Sequence, residues 1–589
     1  MRVLARIVLF AFAALGVVTS LAILGGAVAV GVALSGSRPA VLPAHMILTV
    51  DLEAPMAERG DGLSLLGDQP PYVLNDVASA IYRAAGDKRV DGLIATVGTN
   101  RLGLAQIQEL RDAIAAFRAS GKFTYAYADT FGELRAGMEG YYLASSFERI
   151  WLQPSGQAAI TGVGLEGLFL KGGLDKLGLA ADFEQRHEFK GAADMFTRRD
   201  FSPGQRQMLG RLVDSWFGQI TDAIAHARNK SPAEIRALVD RAPLLAAEAR
   251  DGGLVDVLGY ADDMDEAADA KASPDAVRID VAGYAAAAPT PRRAARVALL
   301  HALGPIHRGQ SEDSPFGGGP ATTGSFTLID ALQAASEEAD VRAIILRIDS
   351  PGGSYVASDS IAHAIAQARA KGKPVIVSMG NVAASGGYFI AAPATRIVAE
   401  PGTITGSIGV VAGKLVAKEL LDKLGVSLDS VSRGANAGMW SPGSLFSPGA
   451  RARLTAFMDA AYEDFTAQVA RGRNLSAAEV DLIARGRVWS GADAKARGLV
   501  DELGGMETAI ALARREAALE PGAAIELVPF PQPRSTVSRI LDFIAQPQLD
   551  GSAKMAMLFW LARGDADLRQ LQRLLAPVAP LDSPSLRVR

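Results

Sequence analysis

Apolar runs and stretches of helical periodicity alternate along the second half of the chain. VALLHAL (297–303) and VRAIILRID (341–349) read as buried strands, a helix is predicted over 357–370, and PVIVSMG (374–380) reads as a third strand before another helical segment. Strands separated by helices imply parallel pairing through right-handed crossovers, an α/β fold. SPGARARLTAFMDAAYEDFTAQVARG places Ser447 at an N-cap and Pro448 at the first helical position, then continues with helical periodicity. The N-terminus has a different pattern. After Arg2 and Arg6, residues 7–34 carry no charge. Such a run makes about 42 Å of helix, more than the ~30 Å of hydrocarbon in a bilayer. It exceeds the h-region of a cleavable signal, so an uncleaved anchor is expected over 1–40 rather than cleavage near Ala33–Ser35. Positive charge ahead of it keeps that end cytoplasmic and exports the rest.

The chain also repeats itself. YYLASSFERIWLQP (141–154) matches YFIAAPATRIVAEP (388–401), and LDKLG recurs at 174–178 and 421–425, both at an offset of 247. FSPG (201–204 and 446–449) and GLVDVLG/GLVDELG (253–259 and 498–504) repeat at an offset of 245. A string of matches in one order is a duplication. It divides the chain into an N-terminal unit over 45–285, a linker over 286–295, a C-terminal unit over 296–535 and an extension over 536–589. Residues 308–323, with GGGP, read as a loop; without a GK[ST] ending they are no phosphate-binding turn. MAMLFWLA (555–562) is too short to span a membrane and suits a packed or interfacial helix.

Composition narrows the chemistry. The chain has no cysteine, which excludes thiol catalysis and thiolate metal sites. Its six histidines show no metal-binding spacing, so neither metal nor cofactor is expected. A formal net charge of -4 gives no sign of a nucleic-acid partner.

The two copies differ where chemistry is concentrated. NVAASGGYFIAA sets Ser385 among alanines and glycines, and at offset 247 the first copy has Met138 there. Conversely Lys190, in HEFKGAADMF, corresponds to Ala437. Each copy holds one member of a pair, so a two-residue site would form between them. A serine hydroxyl needs a neighbouring base, and lysine can be that base once burial lowers its pKa toward 7–8. Phe189, Met195 and Phe196 would supply apolar cover, with Glu188 and Asp194 expected to face outward. The paired N–H groups of Gly352 and Gly353, in SPGG, would form an oxyanion hole, and Ser407, in TGSIG, would orient Lys190. Taken singly, a lysine is ordinarily a surface charge, a PGG a turn and such a serine a cap. His187 is a rival base, and His363 is expected on a helix surface.

With HEFKGA, SPGG, AASGGY and TGSIG in this order behind an apolar N-terminus, residues 1–535 resemble the signal peptide peptidase A family (peptidase family S49) in its long duplicated form. The resemblance implies tandem domains of the Clp protease and crotonase fold and a serine endopeptidase with a Ser/Lys dyad: Ser385 as nucleophile, Lys190 as general base, Ser407 coordinating the lysine, and Gly352 and Gly353 in the oxyanion hole. It further implies a homotetramer anchored in the inner membrane with its body in the periplasm, digesting released signal peptides and other extended apolar peptides. EFKGAADMF departs mildly from the pattern of many relatives around the lysine. Two other classes compete: an inactive membrane-tethered scaffold of this fold, and a crotonase-like acyl-transfer enzyme, which would explain neither anchor nor divided dyad.

Overall fold

A computed structural model describes residues 42–60, 72–99, 101–287, 294–311 and 321–532. The expected anchor, most of the 308–323 loop, most of the linker and the extension with residues 555–562 lie outside these. Among the described residues no helix is long and apolar enough to cross a membrane.

Each half is built on a mostly parallel sheet. The first has six strands in the order Val257–Leu258, Arg149–Leu152, Phe123–Ala128, Val90–Thr96, Met46–Asp51 and Val277–Asp280, all parallel. The second runs Val488–Ser490, Ile404–Gly406, Val375–Ala384, Val341–Ser350, Ala295–Leu303 and Ile525–Pro529, with Arg396–Ala399 also on Val375–Ala384 and Glu502–Leu503 beyond it. Helices cover both faces, which is why its central strands are continuous Val/Ile/Leu runs, buried almost throughout.

The predicted strands and helices of the second half all form, with one extension. The strand expected to end at Gly380 continues to Ala384 and leads directly into Ser385. Duplication shows in the bonding as well. Tyr141 donates to the Leu254 carbonyl at 2.7 Å, and its counterpart Tyr388 donates to the Leu499 carbonyl at 2.9 Å. Asp256 accepts the Ile150 N–H and pairs with Arg228; Asp501 accepts the Ile397 N–H and pairs with Arg473. Ser202 and Ser447 cap the long helices Pro203–Ala227 and Pro448–Arg473, both with proline in the first turn.

The halves interlock. Arg347, on the central strand of the second sheet, is 2% exposed and meets two carboxylates of the first half, Glu58 at 2.8 Å and Glu109 at 2.9 Å. Trp216 donates to the Gly402 carbonyl at 2.9 Å. Strand Ala180–Gln185 of the first half pairs antiparallel with Val411–Val416 of the second. This ribbon, which the sequence did not suggest, carries the chain toward Lys190.

Candidate active site

Ser385 sits at the bend between strand Val375–Ala384 and helix Gly386–Ala391, with φ 54° and ψ -120°. An L-residue seldom occupies that region, and such strain persists only where the surroundings impose it. Here the Ser385 N–H is tied to the Gly406 carbonyl at 2.9 Å. The small neighbours are explained by close approach. A Cβ on Gly386 would stand 2.6 Å from Ser358 Oγ, and one on Gly352 would stand 2.8 Å from Ser385 Cβ. Neither position can take a side chain.

Lys190 arrives from the other half. It is 6% exposed, and the adjacent Phe189 packs with Met208 and Leu209. Its Nζ lies 3.0 Å from Ser385 Oγ, 2.8 Å from the Ser407 carbonyl oxygen and 2.9 Å from Ser407 Oγ. Burial alone brings the ammonium pKa down to about 7. The three partners suit a neutral amine. A neutral amine would have two N–H donors, for the two Ser407 oxygens, and one lone pair to accept the Ser385 hydroxyl proton. Ser407 is held at φ 52° with its N–H on the Arg487 carbonyl at 2.8 Å.

Three expectations change. Asp194 does not face outward; it is 6% exposed, and burial raises its carboxyl. Ser202 accommodates it, and it does not oppose Lys190, whose shift has burial as its sole cause. Glu188 does face solvent, paired with Arg485. The Gly352 N–H is not open to an oxyanion, because it donates to Ser350 Oγ at 3.1 Å. Gly352 serves instead by lacking a Cβ. The Gly353 amide makes none of the hydrogen bonds seen among the described residues, and Gly353 is exposed. Met195 and Phe196 lie outside the cluster around Phe189; Phe196 stacks on Phe183, with ring centroids 5.5 Å apart.

Of the rivals, His187 packs against Tyr462 at 4.7 Å, and no hydrogen bond among the described residues joins it to Ser385. His363 is exposed on helix Tyr355–Ala370. One contributor escaped sequence reading. Gly486, at φ 83°, lies so close beneath Lys190 that a Cβ would come within 2.5 Å of the lysine's own Cβ and backbone N. At the 245 offset the first copy has Arg241 there, and that difference between the copies was the available signal.

A serine on a strained strand-to-helix bend, beside a buried lysine, on a doubled parallel α/β framework, is the arrangement of a serine peptidase. The chain belongs to peptidase family S49, whose model matches residues 116–274 and 367–520. A Clp protease model matches residues 319–401. Among curated relatives, Protease 4 of Salmonella typhi is 34% identical over 462 residues, covering 76% of this chain and 72% of that one. Protease 4 of Haemophilus influenzae is 30% identical, covering 81% and 80%. The chloroplastic serine protease SPPA of Arabidopsis thaliana is 29% identical, covering 80% and 70%.

Ser407→Ala should leave the fold intact and lower turnover by roughly ten- to a thousandfold, since a base held ~1 Å out of place can cost about 10²-fold. Steady-state kinetics beside a thermal melt checks this. Unchanged turnover would reduce Ser407 to a turn residue.

Proposed function

We propose that this serine peptidase works through a Ser385/Lys190 dyad divided between the two halves of the chain. The observation that carries the proposal is the 3.0 Å contact between a buried lysine and a strained serine, each absent from the other copy. Neutral Lys190 takes the Ser385 proton as Oγ attacks a peptide carbonyl, and the lysine, now charged, returns it to the leaving amine. Ser407 holds Nζ in line with two oxygens. The oxyanion would be met by the N–H of Gly353 and that of Gly386, the first residue of the helix after the serine, where a donor lacks an intrahelical partner. The two approach closely: a Cβ on Gly386 would stand 3.1 Å from the Gly353 nitrogen.

The substrates we infer are extended, apolar peptides, above all signal peptides after their release from preproteins. Apolar residues next to the glycine turn support this. Val356 is 51% exposed, and Tyr355 leans on the 53% exposed Phe457 with ring centroids 6.3 Å apart. An extended substrate would bind through backbone hydrogen bonds, as strand addition does. The apolar run at residues 7–34 would tether the enzyme where such remnants concentrate, in an inner membrane with the body on the periplasmic side, and assembly as a homotetramer follows the family resemblance.

The test is a form lacking residues 1–40, incubated with short apolar peptides and with compact native proteins. It should cut the peptides and spare the folded substrates, which cannot present a free strand. Efficient digestion of native globular proteins would contradict the substrate assignment, and protease protection showing a cytoplasmic body would contradict the topology.

A further inference from the structure

The strand that delivers Ser385 is not regular. Along its edge with Val341–Ser350, Ile348 pairs with Met379, but Ser350, only two residues on, pairs with Ala383, four residues on. The surplus sits at residues 380–382 and re-aims the strand. On the opposite edge, residues 376–379 pair with Arg396–Ala399, whereas residues 382–384 pair with Ile404–Gly406, the segment that leads into Ser407. The bulge therefore moves the end of the strand from one neighbour to another and brings Ser385 beside Ser407.

A bulge removes backbone groups from the ladder, so its geometry lasts only if side chains supply partners. Three do so. Asp349 Oδ1 accepts the Val382 N–H at 3.0 Å, and the Asn381 N–H also bonds to the Asp349 carboxylate. Thr403 Oγ1 donates to the Gly380 carbonyl at 2.8 Å and Thr405 Oγ1 to the Ala383 carbonyl at 2.7 Å. The two threonines come from the segment that the bulge reaches. Only Asp349 takes the amides, and it also packs on Gly380, where a Cβ would stand 3.0 Å from its own.

The first half provides an internal control. In each sheet the ladder between the half's first long strand and the next has one irregularity: Met46 pairs with Val90 and then Ile47 with Gly92, while Arg296 pairs with Val341 and then Val297 with Ala343. Val90 thus matches Val341, and eight residues on from each lie Gly98 and Asp349. The copy without the serine has glycine at that position, where Glu53 takes the Thr99 N–H of the same segment at 2.8 Å instead, and its strand Phe123–Ala128 pairs with Val90–Thr96 without a break in register.

We propose that Asp349 is a positioning residue for the reaction, fixing through residues 381 and 382 the place of Ser385 relative to Lys190. The inference rests on Ser385 being the nucleophile. It is distinct from the glycine turn, since Asp349 acts from behind the strand and touches no reacting atom.

The test compares Asp349→Ala, Asp349→Ser (whose hydroxyl stops one bond short of the amides) and Asp349→Asn, which retains an acceptor oxygen. Peptide kcat and KM, the rate of labelling by a fluorophosphonate serine probe and amide exchange at Val382 are read in the intact chain. The two truncations should lower kcat and labelling about a hundredfold, the scale of a ~1 Å displacement, with KM within about threefold. The Val382 amide should lose protection, while the Asn variant keeps that protection and at least a tenth of the parental kcat. Full kcat in the truncations, a change carried by KM, or no rescue by Asn would overturn the proposal. Failure of both truncations to fold would also overturn it, by assigning Asp349 to the fold as a whole. Ser385→Ala is measured alongside; if that variant still hydrolyses peptide, the dyad assignment fails first, whatever Asp349 does.

Discussion

Ser385→Ala and Lys190→Ala should each lower peptide hydrolysis by roughly three or more orders of magnitude, and the double variant should lose little beyond either one. On the proposed mechanism the two side chains act as a single unit, and residues in such a unit are strongly non-additive. The serine's oxygen has no replacement within the turn itself, where alanine precedes it and two glycines follow. No other base takes Lys190's place either: His187 faces Tyr462, and the lysine alone bonds Ser385 Oγ among the described residues. Both single variants should remain folded. Removing Lys190 takes out a group whose burial cost had already pushed it toward the neutral form. Steady-state kinetics of the three variants checks this. A Lys190→Ala enzyme with near-parental turnover, alongside a dead His187→Ala, would reassign the base.

The largest effect on stability is expected at Arg347. Its guanidinium lies among Glu58, Glu109 and Ser378 Oγ, joining the halves through the interior. Burial pushes the Glu58 carboxyl up, but the charge and hydrogen bonds of Arg347 outweigh this and hold it below the usual range. Arg347→Met would leave two buried carboxylates without their cation, and breaking such a pair from one side costs about 3–5 kcal/mol. Because Lys190 and Ser385 lie on opposite sides of the same junction, activity should fall with it. Adding Glu58→Gln and Glu109→Gln should recover much of the stability, since a neutral set has no uncompensated charge. Urea unfolding of the single and triple variants measures both. A single variant within about 1 kcal/mol of the parent would mean that the network is dispensable.

Much of this architecture could be read from the sequence, because alternating apolar runs and helical periodicity leave few options, and because the chain contains its own second copy. The offset of 247 singles out Ser385 against Met138 and Lys190 against Ala437. What escaped depended on contacts between residues far apart in the chain. The ribbon of Ala180–Gln185 with Val411–Val416 joins two segments that are unremarkable alone. The Gly352 amide looked like an oxyanion donor until Ser350 Oγ was seen to accept it. Asp194 was expected in solvent because carboxylates near a neutral lysine would oppose it; the fold buries it beside Ser202 instead, away from Nζ. The strand past Gly380 was missed because a bulge interrupts the pairing that periodicity detects.

The central claim is that a neutral Lys190 from one half activates Ser385 of the other, and the pH dependence of Ser385 acylation tests it most directly. Lys190 is charged and unable to accept a proton below its depressed pKa, and is available above it. The rate of labelling by a fluorophosphonate probe should therefore rise with pH through about 7, the value to which burial brings the lysine, and level off above it. In Lys190→Met the same rate should be low and nearly flat. A parental rate that is flat from pH 5 to 9 with the protein folded, or a rise that survives in Lys190→Met, would contradict the account.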